Sequence, residues 1–213
     1  MHKLRLFFIG VSLLMVFVGH AQDGWELVKE KKGIKVYTKS NKESDFKSFR
    51  ATVYMDCSIE RFVFEILNLD DFIDWGYKIS EVEFLERHGD TVQIYYAKSK
   101  VSFPFKDRDG IYKNSFKWNS DNQTLTILID ILPNYLPEST ENERVKGSGY
   151  WKVVSKAKNK QFVTFEMHLD PGGGIPSWLA NMFVSDTPFS TLLDLKKHVE
   201  KEKEIKVNYK FIN

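Results

Sequence analysis

Glu166 and His168 form the pair that most directly suggests catalysis, because a carboxylate and an imidazole can share general acid–base work. They alternate with Thr164 in a segment typical of a β-strand, opposite an apolar set at the intervening positions. Successive side chains of a strand point to opposite faces, so this pair is predicted to face solvent. The alternation therefore argues against a catalytic role for the two residues.

Arg108 and Asn114 are the polar residues predicted to point into an otherwise apolar space. They share one strand face with three aromatic residues, Tyr112, Phe116 and Trp118. A few polar groups in an apolar pocket commonly orient a ligand. The alternative is that Arg108 pairs with a carboxylate such as Asp107 or Asp109 and only fixes the end of a strand. The sequence leaves both possibilities open.

Other chemistry finds little support in the pattern of residues. His88, His168 and His198 are dispersed without ligand spacing, so no metal site is predicted. Gly172–Gly174 is not followed by Lys-Ser/Thr, so it is not a phosphate-binding loop. Cys57 is the only cysteine and has no identifiable partner, which favours a small buried apolar role. We expect neither a cofactor nor a metal.

The elements that position these residues are mostly strands. Alternation of apolar and polar residues predicts a strand at Ser48–Met55, and apolar residues at helical spacing after Ser58 predict a capped amphipathic helix. A second short helix is predicted near Asp70–Trp75. Three hairpins are predicted to pair Glu81–Arg87 with Thr91–Lys98, Asp109–Trp118 with Gln123–Ile131, and Val145–Val154 with Phe162–Leu169. Pro104 indicates an edge or a bend.

The two ends of this region differ from its middle. A short helix near Asp23 is predicted to carry Trp25, and a long amphipathic helix is predicted after Pro176, with a kink at Pro188. The strand residues expected to face inward are Leu125, Ile127, Ile129, Trp151, Val153, Val163, Phe165, Met167 and Leu169. An antiparallel sheet with one long helix as its cover is an α+β domain.

Residues 1–21 have the pattern of a signal peptide: Lys3 and Arg5, an apolar run from Leu6 to Val18, then small residues at Gly19 and Ala21. The run of 13 residues is short for a membrane span of about 20, although a retained anchor is the alternative. We therefore expect an exported protein, periplasmic or secreted. Its domain covers residues 22–213. Removing Lys3 and Arg5 lowers the Lys and Arg count from 31 to 29, equal to the 29 Asp and Glu, which argues against nucleic-acid binding.

Three segments resemble the START (StAR-related lipid-transfer) domain family. The string from Asp170 to Asn181, DPGGGIPSWLAN, closes a strand and opens the terminal helix; Arg108-Asp109 opens a strand after Pro104; and Trp25 precedes the string GIKVY at residues 33–37. The resemblance extends from about Asp23 to about Val199. It implies a helix-grip fold, in which a curved antiparallel sheet wraps around a long C-terminal helix and leaves a tunnel for one lipid.

The resemblance also implies a non-enzymatic carrier whose partner is a lipid or another apolar small molecule; transient contact with a membrane is compatible with this function. The residues expected to bind the ligand are Arg108, Tyr112, Asn114, Phe116, Ile127, Trp151, Phe165, Met167, Trp178, Met182 and Phe183. Two alternatives remain: a helix-grip enzyme of the cyclase or hydrolase kind, and an interaction domain with a filled core. The volume of the cavity separates the carrier from the interaction domain.

Overall fold

The structure is a computed structural model that describes residues 24–202 and 204–212. The predicted signal peptide lies outside the described residues. The strands are β1 (Glu26–Lys31), β2 (Ile34–Lys39), β3 (Ser48–Met55), β4 (Ile79–His88), β5 (Val92–Ser99), β6 (Arg108–Asn119), β7 (Thr124–Ile131), β8 (Glu143–Arg144), β9 (Lys146–Ala157) and β10 (Lys160–Asp170). The helices are α1 (Ile59–Leu67), α2 (Leu69–Trp75), α3 (Ser177–Phe183) and α4 (Asp186–Lys201).

One antiparallel sheet forms the body of the domain. Its strand order is β1-β2-β3-β10-β9-β7-β6-β5-β4, and the short β8 pairs in parallel with β6 outside this path. Helix α4 packs on β2 and β3 and also contacts α1 and α2, while α2 packs on β4. The helices therefore bridge the two ends of the sheet and cover one of its faces. The predicted α+β helix-grip fold is confirmed.

The sequence patterns locate the core correctly. In β3 every second residue is buried, from Phe49 to Met55, and α1 begins where the Ser58 hydroxyl accepts a hydrogen bond from the Arg61 amide at 3.1 Å. The inward strand residues predicted from alternation are buried except Leu169, which is half-buried. They meet the apolar side of α4, formed by Phe189, Leu192, Leu195 and Val199.

The predicted N-terminal helix is wrong. Residues Glu26–Lys31 form the edge strand β1, paired antiparallel with β2, and Trp25 just before it is buried. A register shift between Leu27 and Lys29 interrupts the alternation, so Leu27 and Val28 are both largely exposed. Because a β-bulge breaks the period of two, the sequence of this strand shows neither the alternation of a regular strand nor the spacing of a helix.

The prediction of one long helix with a kink at Pro188 is also wrong. The structure has two helices, and the break between them lies before Pro188. Helix α3 ends at Phe183 and α4 begins at Asp186, so the interruption falls at residues 184–185. Pro188 lies in the first turn of α4, where a backbone N–H has no intrahelical acceptor and proline is tolerated. The proline therefore marks the start of the second helix.

Candidate functional site: an apolar cavity between the sheet and the terminal helices

A cavity of about 590 Å³ lies between the covered face of the sheet and the helices. This volume falls within the range of roughly 300–1,000 Å³ that is usual for small-molecule sites. Its walls come from β3–β7, β9, β10, all four helices and the loops between β2 and β3 and between β5 and β6. The interior is therefore open, and the filled-core alternative does not describe this structure.

Seven of the eleven predicted ligand-binding residues line the cavity: Arg108, Tyr112, Asn114, Trp151, Phe165, Met167 and Phe183. Phe116 and Ile127 point inward as predicted but are buried in the packed core, where Phe116 contacts Phe211 with ring centroids 5.6 Å apart. Ligand contact at the seven lining positions stays a prediction.

Trp178 and Met182 do not line the cavity, contrary to expectation. Their side chains are 65% and 63% exposed. They are four positions apart and share one side of α3, whereas Leu179 and Phe183 of the same helix reach the cavity. A helix this short has one inward side, and the apolar stripe in the sequence is wider than that side.

Aromatic rings form two stacked groups in the wall. Trp151 lies flat against Phe165, with centroids 4.0 Å apart and planes 7° apart, and Phe49 meets Phe165 edge-on at 5.2 Å. In the second group Tyr95 and Tyr112 stack at 5.4 Å. Pairs of this kind add roughly 0.5–1.5 kcal/mol beyond the burial of area, so the rings stabilise one another in the wall.

Asn114 supplies a polar spot within the aromatic wall. It is 2% exposed, and its Oδ1 atom has no hydrogen-bond partner among the described residues. Burial raises the pKa of Tyr112 to about 12 and also raises the pKa of Tyr95, so both phenols stay neutral at ordinary pH. A buried carbonyl oxygen without a donor is costly, so Asn114 is a polar position that a bound ligand or a water molecule can satisfy.

Arg108 lines the cavity, and three backbone carbonyls accept hydrogen bonds from its guanidinium. Its Nε donates to the Pro171 carbonyl at 3.0 Å and its Nη2 to the Gly172 carbonyl at 3.3 Å, while Nη1 donates to the carbonyl of Lys106. The alternative of a pairing with Asp109 is not what the structure shows, because that carboxylate accepts two hydrogen bonds from Arg144. Burial lowers the pKa of Arg108, yet the guanidinium remains a cation in the cavity wall.

The lid, defined here as residues 172–184, closes one side of the cavity. It begins at Gly172, Gly173 and Gly174, which have φ of 62°, 62° and 65°, a conformation that favours glycine. In α3, the Asn181 side chain accepts a hydrogen bond from the Lys47 amide at 2.9 Å and donates one to the Asp45 carbonyl at 2.9 Å. One side chain thus ties the lid to the loop between β2 and β3.

The loop between β5 and β6 is the part of the site that sequence patterns missed. Its residues Val101, Phe103 and Phe105 line the cavity, and Phe103 is 95% exposed. Pro104 lies in this loop rather than in a strand, consistent with the predicted bend. In the sequence, the signal for this loop is a phenylalanine beside a proline, Phe103-Pro104, which belongs to no periodic pattern.

Glu166 and His168 lie on the opposite face of the sheet from the cavity. Glu166 accepts hydrogen bonds from Arg50 at 2.6 Å and from the Tyr150 hydroxyl at 2.7 Å, and His168 contacts the Ser48 hydroxyl at 3.3 Å. Neither residue lines the cavity. The pair therefore takes part in cross-strand contacts.

A cluster of possible metal ligands joins α1, α2 and α4. Ligand atoms of Glu65, Asp71 and His198 lie within 4.8 Å of one another, which the spacing of histidines in the sequence did not reveal. The Arg61 guanidinium is 2.7 Å from the fully buried Glu65 carboxylate and supplies a cation there. Burial raises the pKa of Glu65. His198 lies 3.4 Å from the same carboxylate, and Asp71 accepts a hydrogen bond from Asn68, so each member of the cluster has a protein partner.

The sheet, the helical cover and the cavity between them define a helix-grip binding fold, and comparison with known proteins identifies the family. No protein-family model matches the chain. The crystal structure of a STAR-related lipid transfer protein from Xanthomonas axonopodis superposes with a TM-score of 0.77 at 33% identity, covering 83% of this chain and 99% of that one. The chain belongs to the StAR-related lipid transfer (START) family.

Other relatives agree with this assignment. An uncharacterised protein of Pseudomonas aeruginosa is 30% identical and covers 93% of this chain and 98% of its own length. Mouse phosphatidylcholine transfer protein is 25% identical, with 81% of this chain and 82% of that protein aligned. Human StAR-related lipid transfer protein 5 shares the fold, with a TM-score of 0.76 at 15% identity and coverage of 87% and 90%.

Proposed function

We propose that this protein binds one lipid or similar amphiphile in its cavity and transfers it between membranes without chemical change. The observation that carries the proposal is a cavity of about 590 Å³ walled by stacked aromatic rings. Burying about ten methylene groups there yields on the order of 8 kcal/mol before losses from immobilisation. The transfer activity named for its relatives supports the same conclusion.

The composition of the wall supports binding over catalysis. Among the described residues that line the cavity, none is Asp, Glu, His or Cys, the types that most often act as general bases or nucleophiles. The hydroxyl and lysine side chains present have no carboxylate or imidazole beside them in the wall to activate them. A ligand is therefore expected to leave the cavity as it entered.

An apolar rim, formed by Phe103, Trp178, Met182 and Phe183, is the proposed contact with membranes. These side chains are 56–95% exposed, and Phe103 and Phe183 also line the cavity. Tryptophan and other aromatic residues favour the interface between water and lipid. Insertion of the apolar rim would let a lipid pass into the cavity without crossing water. Within the described part of the chain, no helix has the length and apolar character to cross a bilayer.

The proposed place of action is outside the cytoplasm. Residues 1–21 support this with the charge, apolar run and small residues of a signal peptide. N-terminal sequencing of the protein recovered from a periplasmic or culture fraction tests it. A chain that starts at Gln22 in that fraction supports export, and an intact Met1 confined to the cytoplasmic fraction contradicts it.

The binding function is tested with the purified protein and defined vesicles. Native mass spectrometry after incubation with phospholipid vesicles is expected to show one added lipid per chain, and fluorescent lipid is expected to move from donor to acceptor vesicles. A protein that acquires no sterol, fatty acid, phospholipid or isoprenoid would contradict the proposal. A lipid recovered with altered mass would instead support an enzyme.

A further inference from the structure

The charge of the cavity wall is strongly one-sided. Four cationic residues line it, Lys47, Lys78, Lys100 and Arg108, and the described lining residues include no carboxylate. The whole chain is close to balanced, with 31 Lys and Arg against 29 Asp and Glu. A wall with four cations and no acid is therefore a local feature that general composition does not explain.

Two of these cations, Lys78 and Lys100, lie at the entrance of the cavity. We call this pair of residues the cationic entrance. The Lys100 amide donates to the Lys78 carbonyl at 2.9 Å, so the two residues are held side by side where β4 begins and β5 has ended. Both are exposed, and both line the cavity as well as an adjoining outer depression of about 530 Å³.

The chemistry of the outer depression also suits an anion. Its other lining residues are Ile73, Ile79, Ser80, Val101 and Ser102, again without a carboxylate among those described. Neither lysine forms an ion pair with another described residue, whereas Glu81 on the neighbouring strand pairs with Lys98. The Lys78 ammonium lies 5.4 Å from the ring of Tyr77, which itself lines the cavity.

The backbone at Lys78 adds a second observation. Its φ is 60°, in the left-handed region that non-glycine residues seldom adopt. The turn is closed by a hydrogen bond from the Ile79 amide to the Gly76 carbonyl at 3.0 Å. The turn therefore fixes the direction in which the Lys78 side chain leaves the backbone.

Resting on the proposed function, we infer that the preferred ligand is an anionic lipid whose phosphate or carboxylate group binds at the cationic entrance while its acyl chains fill the aromatic interior. Arg108 is less available for this role, because three of its five N–H donors are engaged by backbone carbonyls. It contributes positive potential deeper in the wall. The two lysines supply the free donors, three on each ammonium.

The test uses short-chain lipids below their micellar concentration, so that no membrane surface contributes. Calorimetric titration compares dihexanoyl phosphatidylglycerol with dihexanoyl phosphatidylcholine, which differ in net charge. If each lysine contributes as much as a favourable partly exposed ion pair, the wild-type protein binds the anionic lipid about tenfold more tightly. Inorganic phosphate alone is expected not to compete at millimolar concentration, because the acyl chains provide most of the affinity.

The double variant Lys78→Gln/Lys100→Gln is expected to lose this preference, with a smaller loss of affinity for the zwitterionic lipid, whose phosphate also meets the lysines but whose choline cation lowers the net attraction. The matched control is Lys152→Gln/Lys156→Gln, which removes the same charge from exposed positions of β9 outside the cavity and retains the preference. Equal loss in both variants, or no preference in the wild type, overturns the inference and leaves the proposed function standing. Failure of both lipids to bind the wild type contradicts the proposed function itself.

Discussion

At Arg108, three backbone carbonyls occupy the place that a carboxylate usually takes beside a buried guanidinium. Two of these carbonyls belong to Pro171 and Gly172, so the side chain fastens the start of the lid to the start of β6. Hydrogen bonds from a charged donor are worth about 1.5–3 kcal/mol each when a partner is lost. The residue is therefore a positioning residue for the lid.

Arg108→Lys is expected to lower the free energy of unfolding by about 2 kcal/mol, because an ammonium cannot reach three carbonyls with the planar geometry of a guanidinium. Urea denaturation measures the loss. The control is Arg50→Lys, a partly exposed residue paired with Glu166, which should cost less than about 1 kcal/mol. An equal loss of unfolding free energy for the two substitutions would show that the carbonyl contacts of Arg108 stabilise the fold no more than a partly exposed ion pair does.

Trp151 and Trp178 offer a matched pair of tryptophans inside and outside the cavity. Trp151→Ala is expected to destabilise the fold by about 3–5 kcal/mol and weaken binding of every lipid, since it removes the ring stacked on Phe165. Trp178→Ala should leave unfolding and binding of short-chain lipids unchanged but slow uptake from vesicles. Thermal unfolding and vesicle transfer assays distinguish the two. Unchanged transfer in Trp178→Ala would contradict the role given to the apolar rim.

Glu166→Gln and His168→Ala are expected to leave lipid affinity within about twofold of wild type, because strand alternation places both side chains on the outer face. Their contacts with Arg50 and Ser48 are cross-strand and partly exposed. Calorimetric titration of each variant is the measurement. A tenfold loss of affinity with intact folding would reverse the assignment of faces and revive the enzyme hypothesis.

Among the elements, the lid depends on few polar contacts to the rest of the domain. Asn181→Ala removes two hydrogen bonds to the loop between β2 and β3 and is expected to speed release of a fluorescent lipid by about tenfold. The melting temperature should change little, because α4 and the sheet keep their contacts. Stopped-flow fluorescence measures the release rate.

Asn159→Ala is the control for this lid variant. Its side-chain amide donates to Glu204 at an exposed site at the opposite end of β10 from the lid, so lipid release should be unaffected. Equal release rates for the Asn181→Ala variant and wild type would mean that opening does not involve α3.

Regular elements of this fold could be predicted because each follows one period. The strand predicted at Ser48–Met55 coincides with β3, and Ser58 caps α1 as expected. The bulge near Leu27 and the break at residues 184–185 could not be predicted from the sequence, because neither produces a periodic pattern of apolar residues. The site shows the same division: strand alternation placed Trp151 and Asn114 in the wall, whereas Phe103 and the carbonyl partners of Arg108 depend on loops brought together by tertiary structure.

For the molecule as a whole, Cys57 provides a sensor of global opening. It is fully buried, and desolvation raises the pKa of its thiol to about 12, so almost no reactive thiolate exists in the native protein at pH 8. Labelling by iodoacetamide is expected only through unfolding. A lipid at about 100 times its dissociation constant adds roughly 2.7 kcal/mol and should slow labelling about a hundredfold.

Mass spectrometry of quenched samples follows this reaction, and the same protein in urea is the positive control. Labelling that is rapid in the native protein and indifferent to lipid would show that the segment around Cys57 opens locally.

Because the terminal segment is divided into α3 and α4, the rate of lipid release and the rate of unfolding can differ. A continuous helix would couple the two rates. In the proposed function, release of the lipid involves movement of the lid, while loss of the fold requires α4 to leave the sheet, where Leu192, Leu195 and Val199 are fully buried. Substitutions that strengthen the packing of α4 can therefore lengthen the lifetime of the native state without lengthening the residence time of the lipid. Turnover of cargo and durability of the carrier can thus be adjusted independently.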